Sequence, residues 1–470
     1  MSDPAQLLSN LLGPRGWLAG GDAAAHMRDW LDRCGAPPLG VARPATTREV
    51  AEIVRLCAAH GLAIVPQGGN TGLCCAAIDG QGGNVILSLA RMNRIGQPDQ
   101  ASGSVEVEAG AVLAALHESL ASHGLIFPMH LGAEGSAQIG GLIGTNAGGS
   151  HALRYGMMQD LVLGLEVVLA DGTVWDGMRA VQKDNAGYQL RRLFCGAEGT
   201  LGIVTCAVLR LYPAPRRRAS ALLVAPGLDA LVEFGTRLRA EAGEFLSGLE
   251  FFGDTGLGFV LDHVDVGGFP LSARGPAYLL VELASASDHV PLDDILLAQF
   301  EHGVECGLIL DGVLAASDAQ RAHFWKLREE LPEGQRLEGP QLKHDISVPP
   351  GRIAAFVSEA GELCGRLLPG VRANPFGHLG DGNIHYNLSP PPGAPDFGEV
   401  AGKIGTALAA LATGMSGSFA AEHGLGRTKI ALADATRGAV ERRLMATLKQ
   451  ALDPAFLFNP DVIVARNAKE

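Results

Sequence analysis

The sequence predicts a protein of two or three domains with mixed helices and strands, in α/β or α+β fashion. Strand and helix patterns alternate over roughly the first 210 residues. The chain of 470 residues exceeds what one core usually holds. Glycine-rich segments follow or separate apolar strands, and they account for many of the 63 glycines, roughly twice the ~7% norm.

Taken in order, Thr46 and Glu49 have capping-box spacing and open a helix in which Val50, Ile53, Val54 and Cys57 recur at helical spacing. Residues 62–66 and 85–89 read as buried strands, and residues 105–109 alternate as a half-buried strand does. Residues 113–120 read as a helix. Arg216-Arg217-Arg218, after Pro213 and Pro215, reads as a linker or strand edge with solvated charge. Residues 278–283 read as a strand, and 292–302, 317–330, 401–411 and 440–452 as helices. Pro390-Pro391-Pro392-Gly393 is a loop.

Hydrophobic content of 47% and charged content of 19% suit a well-packed soluble enzyme. A net charge of -13 disfavours nucleic acid, because phosphate needs a basic surface. The eight cysteines, Cys34, Cys57, Cys74, Cys75, Cys195, Cys206, Cys306 and Cys364, form no C-x-x-C pair and read as reduced thiols of a cytosolic protein. Met1-Ser2-Asp3-Pro4 lacks the start of a signal peptide, and no apolar run reaches the ~18 residues of a membrane span.

The chemistry concentrates in Gly377-His378-Leu379-Gly380-Asp381-Gly382-Asn383-Ile384-His385, followed later by Glu422-His423. Two neutral imidazoles and a carboxylate make a divalent-metal ligand set that suits zinc and leaves a coordination position open. Gly380, Asp381 and Gly382 suit a tight turn, so His378 and His385 can converge from two adjoining strands. Asn387 has strand spacing from His385 and can share its face. The isolated His26, His60, His117, His123 and His302 read as structural or surface residues.

Pro66-Gln67-Gly68-Gly69-Asn70-Thr71-Gly72-Leu73 follows directly on a strand. Its glycines permit positive φ, and its N–H groups can form an anion nest fit for a pyrophosphate. It is neither G-x-G-x-x-G nor Walker A. A second cluster spans residues 135–149, from Gly135-Ser136 to Gly148-Gly149, and a third spans residues 196–205, around Glu198-Gly199-Thr200-Leu201-Gly202-Ile203.

These segments resemble flavoproteins of the vanillyl-alcohol-oxidase / p-cresol-methylhydroxylase type. Within them the chain is similar to the FAD-linked 2-hydroxyacid dehydrogenases, which include D-lactate dehydrogenase, glycolate oxidase and D-2-hydroxyglutarate dehydrogenase. The likeness continues through Leu153-Arg154-Tyr155-Gly156, Asp171-Gly172-Thr173, Lys183-Asp184-Asn185-Ala186-Gly187-Tyr188, Leu452-Asp453-Pro454 and Phe458-Asn459-Pro460. It implies an α+β fold: a two-subdomain FAD-binding domain over residues 1–215 (core about 40–215), an α+β substrate or cap domain over 216–415, and a C-terminal helical segment over 416–470 that returns to the FAD domain.

The same resemblance implies that Pro66, Gln67, Gly68, Gly69, Asn70, Thr71, Gly72 and Leu73 hold the FAD pyrophosphate. Gly135, Ser136, Gly140, Gly141, Thr145, Asn146, Gly148, Gly149, Glu198, Gly202, Ile203 and Asn459 would complete the cofactor site. No histidine lies in the first loop, so FAD is expected to be non-covalent. Cys74-Cys75 and Asp461 depart from the family pattern, which favours a small residue at the first place and Gly at the second.

His378, His385 and Glu422 match the family's metal ligands, zinc with manganese or cobalt as alternatives, and His423 matches its catalytic base. A 2-hydroxy acid chelated through its carboxylate and hydroxyl would lose its proton to His423 and its C2 hydride to flavin N5. Arg328 and Lys343, fifteen residues apart, match cations that relatives acting on D-2-hydroxyglutarate carry. Arg328 read alone also suits a surface pair on its helix, and Asp345 suits neutralising Lys343. Pro332 stands where those relatives have Thr.

The expected reaction is therefore oxidation of D-2-hydroxyglutarate, with Arg328, Lys343 and Asn387 on the substrate. D-lactate, glycolate and malate are the alternatives within the class. Outside it stand a zinc-dependent hydrolase and a non-catalytic flavin subunit. Electron-transfer flavoprotein, a quinone or a cytochrome would accept the electrons, and the oligomeric state is open, a homodimer included.

Overall fold

The helix that Thr46 opens begins as its cap spacing predicts. In the computed structural model, which describes residues 3–33 and 35–466, Thr46 Oγ1 accepts the Glu49 N–H at 3.2 Å ahead of the helix Thr47–His60. Glu49 returns its carboxylate to the Ala45 N–H at 2.6 Å, one residue earlier than the standard box. Gly61 ends the helix at φ +66, the left-handed cap that glycine adopts without strain. Val50, Ile53, Val54 and Cys57 are fully buried on one face. Cys34, Met1 and Ser2 lie outside the described residues, as do residues 467–470. Among the described residues the seven other cysteines are free thiols, and no helix is long and apolar enough to cross a membrane.

The chain divides into two units, residues 1–149, 155–213 and 422–470 in one, 150–154 and 214–421 in the other. The first unit holds two four-stranded sheets. One has the order Trp17–Leu18, Gly40–Ala42, Val85–Ser88, Ile64–Gln67, and Val85–Ser88 is parallel to both neighbours. Parallel pairing requires crossovers, and the helix Thr47–His60 supplies one. The other sheet, Ser104–Glu108, Ile203–Arg210, Val162–Val168, Val174–Gly177, is antiparallel. One apolar cluster joins them, with Ile64, Val85 and Leu87 from the first and Val105, Val107, Leu165 and Val167 from the second.

The C-terminal segment enters this unit through a buried ion pair. In the helix Ala439–Leu452, Lys449 Nζ donates to Asp453 Oδ2 at 2.6 Å, to Thr200 O at 2.8 Å and to Phe458 O at 2.7 Å, which uses all three of its protons. Asp453 in turn accepts the N–H groups of Leu457 and Phe458. Burial lowers the Lys449 pKa, and Asp453 opposes that shift. The turn delivers Phe458 to a parallel bridge with Ile64, immediately before the first glycine loop.

The second unit is built on a seven-stranded antiparallel sheet in the order Asp311–Leu314, Arg217–Ala225, Ala277–Ser285, Leu246–Gly253, Arg372–His378, Asn383–Ser389, Asp345–Ser347. Helices Leu228–Ala242, Leu292–Glu305, Ile353–Leu367 and Val400–Gly414 contribute to the apolar cluster on one face. On the other face, Asp254–His263, Asp318–Glu329 and Leu331–Glu338 pack around Phe252, Tyr278 and Phe376. Arg217 and Arg218 begin a strand rather than a linker, and Arg216 and Arg217 pair with Asp288 and Asp293 at the surface. The helix expected over 317–330 runs Asp318–Glu329, and a second helix, Leu331–Glu338, follows it and accommodates Pro332 in its first turn, where the missing N–H has no intrahelical partner to lose.

Lys449→Met should leave the Asp453 carboxylate buried and unpaired. The expected cost is about 3–5 kcal/mol, read as a lower urea midpoint for the variant than for the wild type.

Candidate active site

The hairpin of Arg372–His378 and Asn383–Ser389 confirms the turn read from Gly380 to Gly382, and Gly382 takes φ +90. Its Cβ position would lie 1.9 Å from Val348 O, so only glycine fits. Register settles which side chains share a face. His378 opposes Asn383 and Glu250, His385 opposes Phe376 and Asp345, and Asn387 opposes Asn374. The two histidines are thus diagonal neighbours on one face, with ring centroids 5.8 Å apart at 75°. Lys343 continues the register of the edge strand, one pair beyond His344–Tyr386, and so lies across from Asn387.

Glu250 is the group that the sequence pattern did not single out. Its carboxylate is buried, and its oxygens divide between two partners. His378 Nδ1–H donates to Oε1 at 2.6 Å, while Arg328 Nε and Nη2 donate to Oε2 at 3.0 and 2.9 Å. Burial alone would raise the Glu250 pKa, but His378 and Arg328 outweigh it and hold the carboxyl below its ordinary value. With Nδ1 directed at Glu250, Nε2 is the ring nitrogen that remains to ligate a metal when the imidazole is neutral. Asp345 Oδ1 lies 3.9 Å from His385 Nδ1 and accepts from Asn383 Nδ2 at 2.9 Å.

Arg328 therefore faces inward and is 8% exposed. Its guanidinium also covers the Phe376 ring, 4.8 Å from the centroid. Among the described residues its ion-pair partner is Glu250, and the surface pair that its helix position also suited does not form. Asp345 directs its carboxylate at Asn383 and lies beside His385. Lys343 is exposed by surface area, yet enough protein surrounds the ammonium that desolvation lowers its pKa, against the pull of Glu333. Asn387 is buried at 4%. A carboxylate inside the apolar run Leu249-Glu250-Phe251-Phe252 was the available signal, since a buried charge demands a partner.

In the first unit the three glycine segments close on one another. A Cβ on Gly69 would lie 1.9 Å from Ser136 O, one on Gly68 3.2 Å from Gly141 Cα, and one on Gly199 2.8 Å from Pro66 Cγ. Gly72 and Gly135 have open space where a Cβ would stand. Asn70 Oδ1 and Gln138 Oε1 are buried without a hydrogen-bond partner among the described residues. Polar backbone, open room and unsatisfied amides fit a dinucleotide cofactor.

Glu198 and Asn459 fasten this region. The Glu198 carboxylate accepts the Leu425 and Gly426 N–H groups, both at 2.9 Å, and burial raises its pKa against those donors. Asn459 Nδ2 donates to Ala76 O and Glu198 O, and its Oδ1 accepts from Arg427. Cys74 O takes the Arg427 N–H at 2.9 Å, and Cys75 adopts φ +57. The loop after Glu422 and His423 is thereby held inside the first unit. Glu422 itself lies against Gly148, where a Cβ would stand 2.5 Å from its Oε1.

Residues 38–177 match the FAD binding domain family, and residues 214–463 match the C-terminal domain of FAD linked oxidases. The chain is 36% identical over 471 residues to a D-2-hydroxyglutarate dehydrogenase of Stutzerimonas stutzeri, covering 99% of this chain and all of that one. It is 37% identical to the enzyme of that name from Xanthomonas citri pv. viticola, over 93% of this chain and 92% of that protein. The mitochondrial D-2-hydroxyglutarate dehydrogenase of Bos taurus is 37% identical over 92% of this chain and 78% of its own length. Among solved structures, p-cresol methylhydroxylase superposes with a TM-score of 0.76 at 17% identity, over 99% of this chain and 97% of that one. Alkyldihydroxyacetonephosphate synthase reaches 0.71 at 16% identity, over 97% and 84%. With both domain matches and relatives of this identity along nearly its whole length, the chain belongs to the FAD-linked D-2-hydroxyacid dehydrogenases and is an FAD-dependent dehydrogenase on the p-cresol-methylhydroxylase type of fold.

Proposed function

We propose that the protein oxidises D-2-hydroxyglutarate to 2-oxoglutarate. The observation that carries this reading is the buried chain Arg328–Glu250–His378, on the sheet face that also bears His385 and Asn387. It brings a cation, a metal-competent imidazole and an amide to one surface. Full-length relatives named D-2-hydroxyglutarate dehydrogenase support the same substrate.

In this reading the first unit holds FAD non-covalently through residues 66–73 and 135–149, and Glu198 and Asn459 keep those loops closed. Bound FAD supplies the acceptor for the C2 hydride. His378, His385 and Glu422 would hold a divalent metal, zinc first and manganese or cobalt as alternatives, which supplies Lewis acidity toward the substrate hydroxyl. Glu250 beside His378 and Asp345 beside His385 are the outer carboxylates that orient ligating imidazoles. His423 takes the hydroxyl proton. Asn387, Lys343 and the free edge of Arg328 orient the two carboxylates. Electron-transfer flavoprotein or a quinone then reoxidises the enzyme.

A second reading, D-lactate or glycolate as substrate, draws on Glu250, which neutralises Arg328 and so takes away one of the two cations that a distal carboxylate would need. The two readings separate by turnover with an artificial electron acceptor. D-2-hydroxyglutarate is expected to exceed D-lactate roughly 100-fold or more in kcat/KM, because a buried polar site rejects a ligand that leaves it unpaired. A D-lactate preference would sink the dicarboxylate assignment. Lys343→Ala should cost the dicarboxylate about 1.5–3 kcal/mol of transition-state binding and D-lactate far less.

His423→Ala should keep its flavin absorbance and metal content while kcat falls by roughly 10²–10⁴. A normal kcat would remove it from the base role. Glu250→Gln leaves Arg328 uncompensated and His378 poorly oriented. The variant should lose about 10–100-fold in metal affinity, measured by chelator competition.

A further inference from the structure

We propose that His117, His130 and Glu134 form a second divalent-cation site of the zinc class, within the first unit and independent of the reading given above. His117 lies on the helix Leu113–Ala121, and His130 and Glu134 lie on the loop that leads into the second glycine segment. One nitrogen from each ring and one carboxylate oxygen all lie within 4.8 Å of one another, and the ring centroids are 4.9 Å apart.

The hydrogen-bond pattern demands a positive charge there. His117 Nε2 sits 3.1 Å from Phe127 O, and a carbonyl only accepts, so Nε2 carries the proton. In the neutral ring Nδ1 is then a lone pair, and it faces Glu134 Oε2 at 3.4 Å. Two lone pairs at that distance repel unless a proton or a metal cation lies between them. A ring N–H held by a backbone carbonyl is also the outer contact that orients ligating histidines. His130 Nδ1 lies 2.8 Å from Glu134 Oε1, which also takes the Leu131 N–H at 3.2 Å. Tetrahedral zinc with bonds of about 2.0–2.1 Å sets its ligand atoms roughly 3.3 Å apart, inside the 4.8 Å that spans one ligand atom from each of the three side chains. The side chains of His117, His130 and Glu134 are 20%, 45% and 30% exposed, so an ion can enter from solvent and keep an open position. Although burial opposes it, the two imidazoles hold the Glu134 carboxyl far below its ordinary pKa, so it is an anion at neutral pH.

Both ends of the second glycine segment meet this cluster. Gly135 follows Glu134, and a Cβ on Gly149 would lie 2.4 Å from His130 O. The Ala114 N–H donates to Glu134 O at 3.1 Å, which ties the helix to the same loop. A bound cation would fasten the helix to that segment.

The test counts zinc in chelator-treated holoenzyme redialysed against micromolar Zn²⁺. His117→Gln should bind one equivalent fewer than wild type, with circular dichroism and flavin absorbance retained. His385→Ala, which addresses the other ligand set, should leave this equivalent in place. Equal zinc in wild type and His117→Gln overturns the proposal and leaves a proton rather than a metal between His117 and Glu134. If His117→Gln fails to fold, Glu134→Gln carries the same count with the same two outcomes.

Discussion

Glu250 is the constraint on which the arrangement of Arg328 and His378 rests. A carboxylate buried in a sheet is costly unless its lone pairs are filled, and here each oxygen has a charged or polarised partner. The same contacts decide the states of those partners. Arg328 is kept inside the protein against Phe376, and His378 is oriented with Nδ1 toward the carboxylate. One buried anion thus sets the position of a cation and the orientation of an imidazole. Removing it would disturb both, which distinguishes it from a residue that only packs.

The first unit solves a different problem, holding glycine loops in closed conformations that have little side-chain packing of their own. Close backbone approach does part of this, at Gly68, Gly69 and Gly199. Polar fasteners do the rest. Glu198 captures two N–H groups of the loop after His423, Asn459 bridges Ala76 and Glu198, and Lys449 with Asp453 delivers Asn459 to that place. Glu198 and Asn459 were expected on the cofactor from resemblance. In the structure their side chains are committed to protein groups, so in the proposed reading they support the cofactor loops through position.

Local signals were legible where one segment carries its own constraint. Thr46 and Glu49 announce a helix start, the glycines after His378 announce a turn, and period-two alternation announces Ser104–Glu108. Signals that depend on distant partners were weaker. Arg328 suited both a surface pair and an inward contact until Glu250, 78 positions earlier, was seen to take its guanidinium. His117 read as an ordinary histidine because nothing in its own helix shows that His130 and Glu134 fold back beside it.

The sequence by itself determined the mixed helix-and-strand class, the glycine-rich segments and the paired histidines of the hairpin, because each is written in contiguous spacing of glycines, apolar residues and imidazoles. Only the tertiary structure decided which charges neutralise one another and which faces the side chains share. Strand register sets that second kind of fact, and register brings together residues such as Glu250 and His378 that lie 128 positions apart. A shift by one residue would turn His378, His385 and Asn387 to the opposite face, and no local motif carries that information.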